Sequence, residues 1–334
     1  MSEPRPKVSV LVAVYNGERF VEATVRSILA QSFRDLEMVI LDDGSRDGSL
    51  AILNHLAATD ARIRLASRPN RGIPATANEM IALARGEHLS LMDHDDIMLP
   101  GCLEAEVAHL ERHPECVAVG VLDAHIDAAG RIVQRDRSLA WLAGSFSRRP
   151  SRPMAFPPVS PTIKNPASLV RAGAMRRAGG YREKFTYAND TDLWLRLGEQ
   201  GEIHRLNRVL CHYRRHGGNA TMTRRAEIMG YDVIAHLSAI ARHEGLDDRS
   251  LIDDLAGSTN YSVIVDGYRR LIGERYPIEP YLLYRAVGHR LPQLAGLGSL
   301  PEVQHRAAQL GMTAPPTLPK LKLLRRSLSR QLSG

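Results

Sequence analysis

Apolar and polar residues are arranged in two different patterns along the first part of the chain. Short, continuous apolar runs predict strands buried on both faces, at residues 8–14, 36–41, 63–65 and 88–92. Between them, apolar residues recur at helical spacing and predict helices at residues 20–29, 50–56, 73–84 and about 100–113. Repeated strand–helix units indicate an α/β fold with a Rossmann-like, mostly parallel sheet and helices on both faces.

The pattern changes after residue 116. A hairpin is predicted from residues 117–121 and 131–133, followed by a loop at residues 145–166, which are rich in proline, serine and arginine. Helices are predicted at residues 167–178 and 193–198, and a strand at residues 209–213. Only helical patterns follow residue 224, so we expect one domain at residues 1–223 and a helical C-terminal region at residues 224–334.

Polar side chains follow three of the predicted strands at their carboxyl ends. They are Tyr15-Asn16, Asp42-Asp43 and the run Asp93-His94-Asp95-Asp96. In a parallel sheet these ends share one edge, and ligands of such sheets bind beyond that edge. The sequence therefore predicts a binding site there.

Each of three acidic segments has a chemical and a structural interpretation. Residues 93–96 can bind a hard divalent cation, or can form a solvated turn before the next helix. Residues 42–45 can accept hydrogen bonds from a nucleobase or ribose, or can cap a turn. Residues 189–192 can hold a general base at a helix start, or can compensate the helix dipole.

Composition narrows the class of protein, and the charge has a local origin. The 334 residues are 44% hydrophobic and 24% charged, which excludes wholesale disorder, collagen and a disulfide scaffold. The net charge of +7 suggests a nucleic-acid partner, yet no nucleic-acid-binding motif is present and only 5% of residues are aromatic. Five cations and no acid lie in residues 318–334, so +7 minus five leaves +2 for the rest. Leucines at helical spacing make this tail a basic amphipathic helix, which can lie on an anionic membrane or pack on the protein.

The cysteines and the hydropathy of the sequence indicate the cellular compartment in which the protein is expected. Cys102, Cys116 and Cys211 are odd in number and lack metal-ligand or redox spacing, so we expect free thiols in a reducing environment. The longest early apolar run, residues 8–14, is too short to span a membrane and lacks a signal-peptide cleavage site. We expect a cytoplasmic protein, with the basic tail bringing it to the inner face of the plasma membrane.

Taken together, these segments resemble the family 2 glycosyltransferases, nucleotide-diphospho-sugar enzymes with the GT-A fold. The resembling segments are residues 8–17, 27–32, 42–45, 70–72 with Asn78, 84–87, 93–96 and 189–196, in the family's order and spacing. The resemblance covers residues 7–219, and the segments taken together are specific for this family, although each one alone is not. It implies inverting transfer of a sugar from a nucleotide-diphospho-sugar to a saccharide or lipid-linked hydroxyl acceptor, in cell-surface polysaccharide, O-antigen or glycolipid synthesis.

The resemblance also implies roles for single residues. Donor-binding positions are Ala13, Tyr15, Asp42, Asp43, Asn78 and Asp93. Asp93 and Asp95 match a DxD pair that binds Mn²⁺ or Mg²⁺, and His216 resembles a late histidine near the diphosphate or metal. Asp190 matches the catalytic base, and the acceptor side of the same helix start carries Asn189, Asp192 and Trp194.

Two departures from the family pattern leave alternatives open. Asn189 stands where glutamate is common, and Ala77 stands where many members carry arginine, with Arg71 nearby as a substitute cation. A catalytically impaired nucleotide-sugar-binding protein therefore remains an alternative to the enzyme, as does a basic nucleic-acid-binding protein.

A Rossmann dehydrogenase would need GxGxxG after the first strand, where a single glycine, Gly17, is present. A glycoside hydrolase could also use paired carboxylates, but it would not need a nucleotide pocket.

Overall fold

A computed structural model describes residues 5–135, 146–149, 163–219, 223–258 and 260–273, with the single residues 282, 302 and 305. The strands are β1 (Val8–Val14), β2 (Leu36–Asp42), β3 (Ile63–Ser67), β4 (His88–Asp93), β5 (Ile97–Met98), β6 (Cys116–Ile126), β7 (Ile132–Arg135), β8 (Phe146–Arg149), β9 (Ser168–Arg171) and β10 (Glu202–Arg214). The helices are α1 (Val21–Leu29), α2 (Ser49–Thr59), α3 (Ile73–Leu83), α4 (Cys102–Arg112), α5 (Ala172–Arg177), α6 (Asn189–Gly198), α7 (Arg225–His243), α8 (Arg249–Leu255) and α9 (Tyr261–Ile272). The strand–helix alternation predicted for the first hundred residues is confirmed.

One sheet of ten strands organises the described chain, in the order β3-β2-β1-β4-β9-β6-β10-β5, with β7 paired to β6 and β8 to β10. Strands β1 to β4 run parallel to one another, and β6 runs parallel to β10. Strand β9 is antiparallel to both β4 and β6 and joins these two parallel parts. The predicted mostly parallel sheet is confirmed, with an antiparallel strand near its centre.

Helices cover both faces of this sheet. Val8, Val10 and Val12 of β1 pack into one core with residues of α1, α2 and α4. Leu11 of the same strand points the other way and joins a second core with residues of α3, α5 and α6. Because β1 is buried on both sides, its sequence reads as a continuous apolar run rather than as an alternation.

The segment predicted as one helix at residues 167–178 is a strand followed by a short helix, so this prediction was wrong. Ala167 has a left-handed backbone with φ of 53°, which breaks helical continuity just before β9. Leu169 and Val170 are completely buried where β9 pairs with β4 and β6. Pairing with two neighbouring strands outweighs the local helical spacing.

The proline-rich segment at residues 145–166 is not a loop throughout. Residues 146–149 form β8, antiparallel to β10, whereas residues 150–162 lie outside the described residues. The hairpin prediction is confirmed by the antiparallel pairing of β6 with β7.

The described C-terminal residues are helical, as expected. Helices α7, α8 and α9 share a hydrophobic core that also contains Phe185 and Leu195 of the preceding segment. The domain boundary near residue 223 stays a prediction, and the basic tail at residues 318–334 lies outside the described residues. Among the helices that the structure describes, none combines the length and apolarity that crossing a bilayer requires.

Candidate active site

The carboxyl ends of β1, β2 and β4 meet at one edge of the sheet. The strand register pairs Val14 with Asp42 and Ala13 with Asp93. Tyr15 follows directly after β1 and exposes 43% of its surface. The structure thus brings the three polar strand ends together.

Asp42 and Asp43 are buried, and they hold the loops at this edge. Asp42 accepts a hydrogen bond from the hydroxyl of Ser67 at 2.9 Å. Asp43 Oδ1 and Oδ2 accept hydrogen bonds from the backbone N–H groups of Arg71, at 2.8 Å, and Gly72, at 3.0 Å. The two carboxylates therefore fix the chain that follows β3 against the end of β2.

A cation that the sequence analysis did not single out lies beside Asp43. Arg68 forms an ion pair with Asp43 and a second one, at 2.7 Å, with Glu79 of α3. Arg68 thus brings a positive charge to the region where Ala77 lacks one, whereas Arg71 reaches Asp43 through its backbone. Arg68 directly follows β3, and this position in the sequence could have indicated that Arg68 lies at the candidate site.

Asp93, Asp95 and Asp96 form a compact acidic cluster where β4 ends. One carboxylate oxygen of each lies within 4.8 Å of those of the others. Desolvation by the surrounding protein atoms, together with the charges of Asp95 and Asp190, raises the pKa of Asp93 to about 7, although its side chain is exposed at the cavity. Burial and the charges of Asp93 and Asp95 likewise raise the pKa of Asp96 well above its usual value. Placing these carboxylates together is therefore unfavourable unless a positive charge joins them.

This acidic cluster fits a hard divalent cation. Asp96 Oδ1 accepts a hydrogen bond from the backbone N–H of Arg214 at 2.6 Å, whereas Asp96 Oδ2 is buried without a hydrogen-bond partner among the described residues. A buried, unpartnered carboxylate oxygen is costly. Mg²⁺ and Mn²⁺ prefer carboxylate oxygens as ligands, so the cluster is suited to hold such an ion.

Residues that follow β10 hold Asp95 from the other side. His216 Nε2 lies 2.8 Å from Asp95 Oδ2, and the side-chain amide of Asn219 donates to the same oxygen at 3.2 Å. The backbone N–H of Gly218 donates to His216 Nδ1 at 3.1 Å, so a neutral His216 carries its proton on Nε2. His216 therefore donates to Asp95 and orients this predicted metal ligand.

A cavity of about 790 Å³ lies beside the acidic cluster. Asp93 lines it from the end of β4, and Asn189, Asp190 and Thr191 line it from the first turn of α6. Residues of α7, among them Met229, complete the lining. Two carboxylates that are far apart in sequence, Asp93 and Asp190, thus face one cavity of a size that holds small organic ligands.

Asp190 is held at the start of α6 by an unusual backbone. Ala188, which precedes the helix, has a left-handed φ of 48°, a conformation that is uncommon for a residue with a Cβ. Asp190 Oδ1 accepts a hydrogen bond from the backbone N–H of Thr191 at 2.8 Å. Burial raises the pKa of Asp190 and so increases its affinity for a proton.

Of the residues that the sequence predicts to contact donor or acceptor, Asp93 and Asn189 line the cavity, whereas seven lie outside its lining: Ala13, Tyr15, Asp42, Asp43, Asn78, Asp192 and Trp194. Asp192 is completely buried in an ion pair with Arg196 at 2.7 Å, and Trp194 is 1% exposed in the core. The side-chain amide of Asn78 makes two hydrogen bonds with the backbone of Tyr181, at 2.7 and 2.8 Å. These side chains tie α3, α6 and the chain before α6 together.

The cavity also has a basic and aromatic wall that the sequence analysis missed. Lys164 donates to Asp123 at 2.8 Å and lies 4.8 Å above the ring of Tyr213. His125 Nε2 lies 3.1 Å from a carboxylate oxygen of Asp123. Lys164, His125 and Tyr213 line the cavity together with Arg215. No local pattern could have joined these residues, because they come from β6, β10 and the segment before β9.

Comparison with known proteins identifies similar sequences. Over 200 residues, the chain is 33% identical to the putative glycosyltransferase EpsE of Bacillus subtilis. The match covers 59% of this chain and 68% of EpsE. It is 27% identical over 217 residues to the chondroitin synthase of Pasteurella multocida, covering 65% of this chain. That match is 21% of the synthase, so the chain spans about a fifth of this relative's length.

A solved structure supports the same assignment of fold. The mannosyltransferase PcManGT from Pyrobaculum calidifontis, in complex with GDP-Man and Mn²⁺, matches with a TM-score of 0.57 and 20% identity over 97% of this chain and 85% of that one. The GT-A fold expected from the sequence is thereby confirmed. The family model described as Glycosyl transferase family 2 matches residues 9–175, half of the chain. The chain therefore belongs to glycosyltransferase family 2.

Proposed function

We propose that the protein is an inverting glycosyltransferase that moves a sugar from a nucleotide-diphospho-sugar to the hydroxyl of a saccharide or lipid-linked acceptor. The observation that carries this proposal is the shared cavity of Asp93 and Asp190. One carboxylate belongs to the acidic cluster and the other to a helix start, so donor and acceptor can enter between them.

The donor side of the proposed site is the edge formed by the ends of β1, β2 and β4. Tyr15 and Ala13 flank the nucleotide, while Asp42 and Asp43 shape its pocket through the loops that they hold. Asp93 and Asp95, with Asp96 beside them, would hold a divalent cation, which neutralises charge on the departing diphosphate when bound. The complex of PcManGT with GDP-Man and Mn²⁺ supports this interpretation.

In the proposed mechanism Asp190 is the general base. The acceptor hydroxyl attacks the anomeric carbon as its proton passes to the Asp190 carboxylate. The bond from this carbon to the diphosphate oxygen breaks, and its electron pair leaves with the nucleoside diphosphate. Because one displacement occurs without a covalent intermediate, the anomeric configuration inverts. Asn189, which is 7% exposed at the cavity, orients the acceptor hydroxyl.

The acceptor class is proposed from the relatives. A chondroitin synthase builds a polysaccharide, and we place this chain in the same broad class of cell-surface polysaccharide, O-antigen or glycolipid synthesis. The basic and aromatic wall of Lys164, His125, Tyr213 and Arg215 lines the same cavity as Asp93 and Asp190, and a sugar ring can stack and donate hydrogen bonds there.

The test combines donor binding with product stereochemistry. A thermal-shift panel of UDP-, GDP- and dTDP-sugars with Mn²⁺ should reveal one stabilising donor, because a ligand at about 100 times its Kd stabilises by roughly 2.7 kcal/mol. EDTA should remove this shift. NMR of the product made from an α-linked donor should then show a β-linkage. Retention of configuration, or turnover of simple glycosides without any nucleotide-sugar, would contradict the proposal.

We further propose that residues 318–334 bring the enzyme to anionic membranes. Sedimentation with phosphatidylglycerol vesicles should depend on this segment and weaken with salt. Replacing its five cations with glutamine should abolish sedimentation while donor binding persists. Vesicle binding that survives this change would contradict the proposal.

A further inference from the structure

A second cluster of potential metal ligands lies away from the cavity. His109 in the last turn of α4, Cys116 at the start of β6 and His204 of β10 are 3%, 0% and 0% exposed. One ligand atom of each residue lies within 4.8 Å of those of the others. We call these residues the histidine–cysteine cluster.

The histidine–cysteine cluster and the candidate active site occupy opposite ends of the same parallel strands. Cys116 and His204 lie where β6 and β10 begin, whereas His125 and Tyr213 lie near the ends of these strands and line the cavity. Nine residues of strand separate His204 from Tyr213, which corresponds to roughly 30 Å. The cluster is therefore not a part of the donor or acceptor site.

Hydrogen bonds within the cluster prepare His204 to bind a metal ion. His204 Nε2 lies 2.7 Å from Oε2 of Glu202, and His204 Nδ1 lies 2.8 Å from Nε2 of His109. A carboxylate on Nε2 holds the ring proton there and leaves the Nδ1 lone pair directed at His109. Metal-binding histidines are typically held by a carboxylate in this way.

The other two side chains are also suited to a soft or borderline cation. His109 is 3% exposed and its Nε2 faces His204 Nδ1 at 2.8 Å, so the two ring nitrogens can approach one ion. The completely buried thiol of Cys116 donates to the carbonyl oxygen of Ala118 at 3.0 Å. A bound cation would displace the thiol proton and use the thiolate.

The rim of the cluster supplies further donors. The ring of His113 lies 4.4 Å from that of His109, and Glu115 lies 3.1 Å from His113. Glu115 and Glu202 approach His204 closely enough to form an overlapping group of potential ligands. A fourth ligand, either a side chain of this rim or a water molecule, is therefore available.

We propose that His109, Cys116 and His204 form a zinc-binding site that fastens the end of α4 to β6 and β10. Two imidazoles and one thiolate match the ligand preference of Zn²⁺. In a tetrahedral site with Zn–N bonds of about 2.05 Å, the two nitrogens stand about 3.3 Å apart. The His109–His204 nitrogen pair, now at 2.8 Å, would need to open by only about 0.5 Å.

The test uses Co²⁺ as a spectroscopic substitute for zinc in the full-length, chelator-treated protein. One equivalent of Co²⁺ should produce a near-ultraviolet charge-transfer band from sulfur to cobalt and visible bands of tetrahedral cobalt. The acidic cluster at the active site offers oxygen ligands and cannot produce the sulfur band. Cys116→Ser should abolish this band, and Cys102→Ser, the same change at another buried thiol, should retain it.

A stability measurement keeps the proposal testable if a variant folds poorly. Zn²⁺ should raise the thermal midpoint of the chelator-treated wild-type protein in the absence of nucleotide, and His204→Gln should reduce this shift to that of background cation binding. A wild-type protein that develops no sulfur-to-cobalt band would overturn the proposal. The same holds if Cys116→Ser retains the band, and the cluster would then be a buried histidine–histidine hydrogen bond alone.

Discussion

Replacing Asn78 separates two roles that sequence and structure assign to it. The Asn78 amide donates to the carbonyl of Tyr181 at 2.8 Å and accepts from its N–H at 2.7 Å, which binds α3 to the chain leading into α6. Asn78→Ala leaves both backbone groups of a residue that is 4% exposed without these partners. Each such loss costs about 1–3 kcal/mol, so the free energy of unfolding should fall by roughly 2–6 kcal/mol.

The assay is urea unfolding followed by tryptophan fluorescence, with donor affinity measured in parallel by calorimetry. Trp194, which is 1% exposed in α6, reports on the region that Asn78 supports. Asn54→Ala, on the exposed face of α2, is the matched control and should change stability little. If Asn78→Ala kept wild-type stability but bound the donor markedly less well, Asn78 would be a donor contact and our reasoning would be refuted.

Three further substitutions test other parts of the account. Burial raises the pKa of Glu106 well above its usual 4.5, so the stability that its proton provides is complete below about pH 4.5 and is lost as the pH rises. Above pH 4.5, the stability of Glu106→Gln relative to wild type should therefore increase by about 1.4 kcal/mol per pH unit, until the pH reaches the pKa of Glu106 in the folded protein. Urea unfolding at several pH values measures this difference. Asp192→Asn weakens the buried ion pair with Arg196 and should cost about 3 kcal/mol in the same assay. His216→Gln should weaken Mn²⁺ binding by about tenfold in a calorimetric titration, because Asp95 loses the group that orients it.

Local sequence patterns predicted the framework of the fold. The continuous apolar run of β1 follows from burial on both faces, and the parallel arrangement then requires Tyr15, Asp42 and Asp93 to share one edge. The resemblance to a family added Asp190, which no local argument could have connected to that edge. The structure brings Asp190 and Asp93 to one cavity.

Features that depend on tertiary contacts escaped the sequence analysis. The strand β9 carries helical spacing, and only pairing with β4 and β6 makes it a strand. Lys164 and His125 meet at Asp123 although 39 positions separate them along the chain. No single segment of the sequence contains the histidine–cysteine cluster, because His109 belongs to α4, Cys116 to β6 and His204 to β10.

The departures at Asn189 and Ala77 have different structural consequences. Arg68 places a cation beside Asp43 and Glu79, so the missing arginine at position 77 does not leave this edge without positive charge. Asn189 is buried at the cavity and its side-chain amide donates to the carbonyl of Thr186 at 3.4 Å, so it can position an acceptor but cannot accept its proton. The proposed catalysis therefore depends on Asp190 alone.

Turnover of Asp190→Asn at saturating donor tests the proposed role of Asp190. The assay is release of nucleoside diphosphate from the donor found in the thermal-shift panel, with water or an added oligosaccharide as acceptor. Loss of the general base should lower turnover by about 10²- to 10⁴-fold while donor affinity is retained. Asp253→Asn, at an exposed position of α8, should turn over like wild type. An Asp190→Asn protein that binds donor and turns over at the wild-type rate would contradict the account.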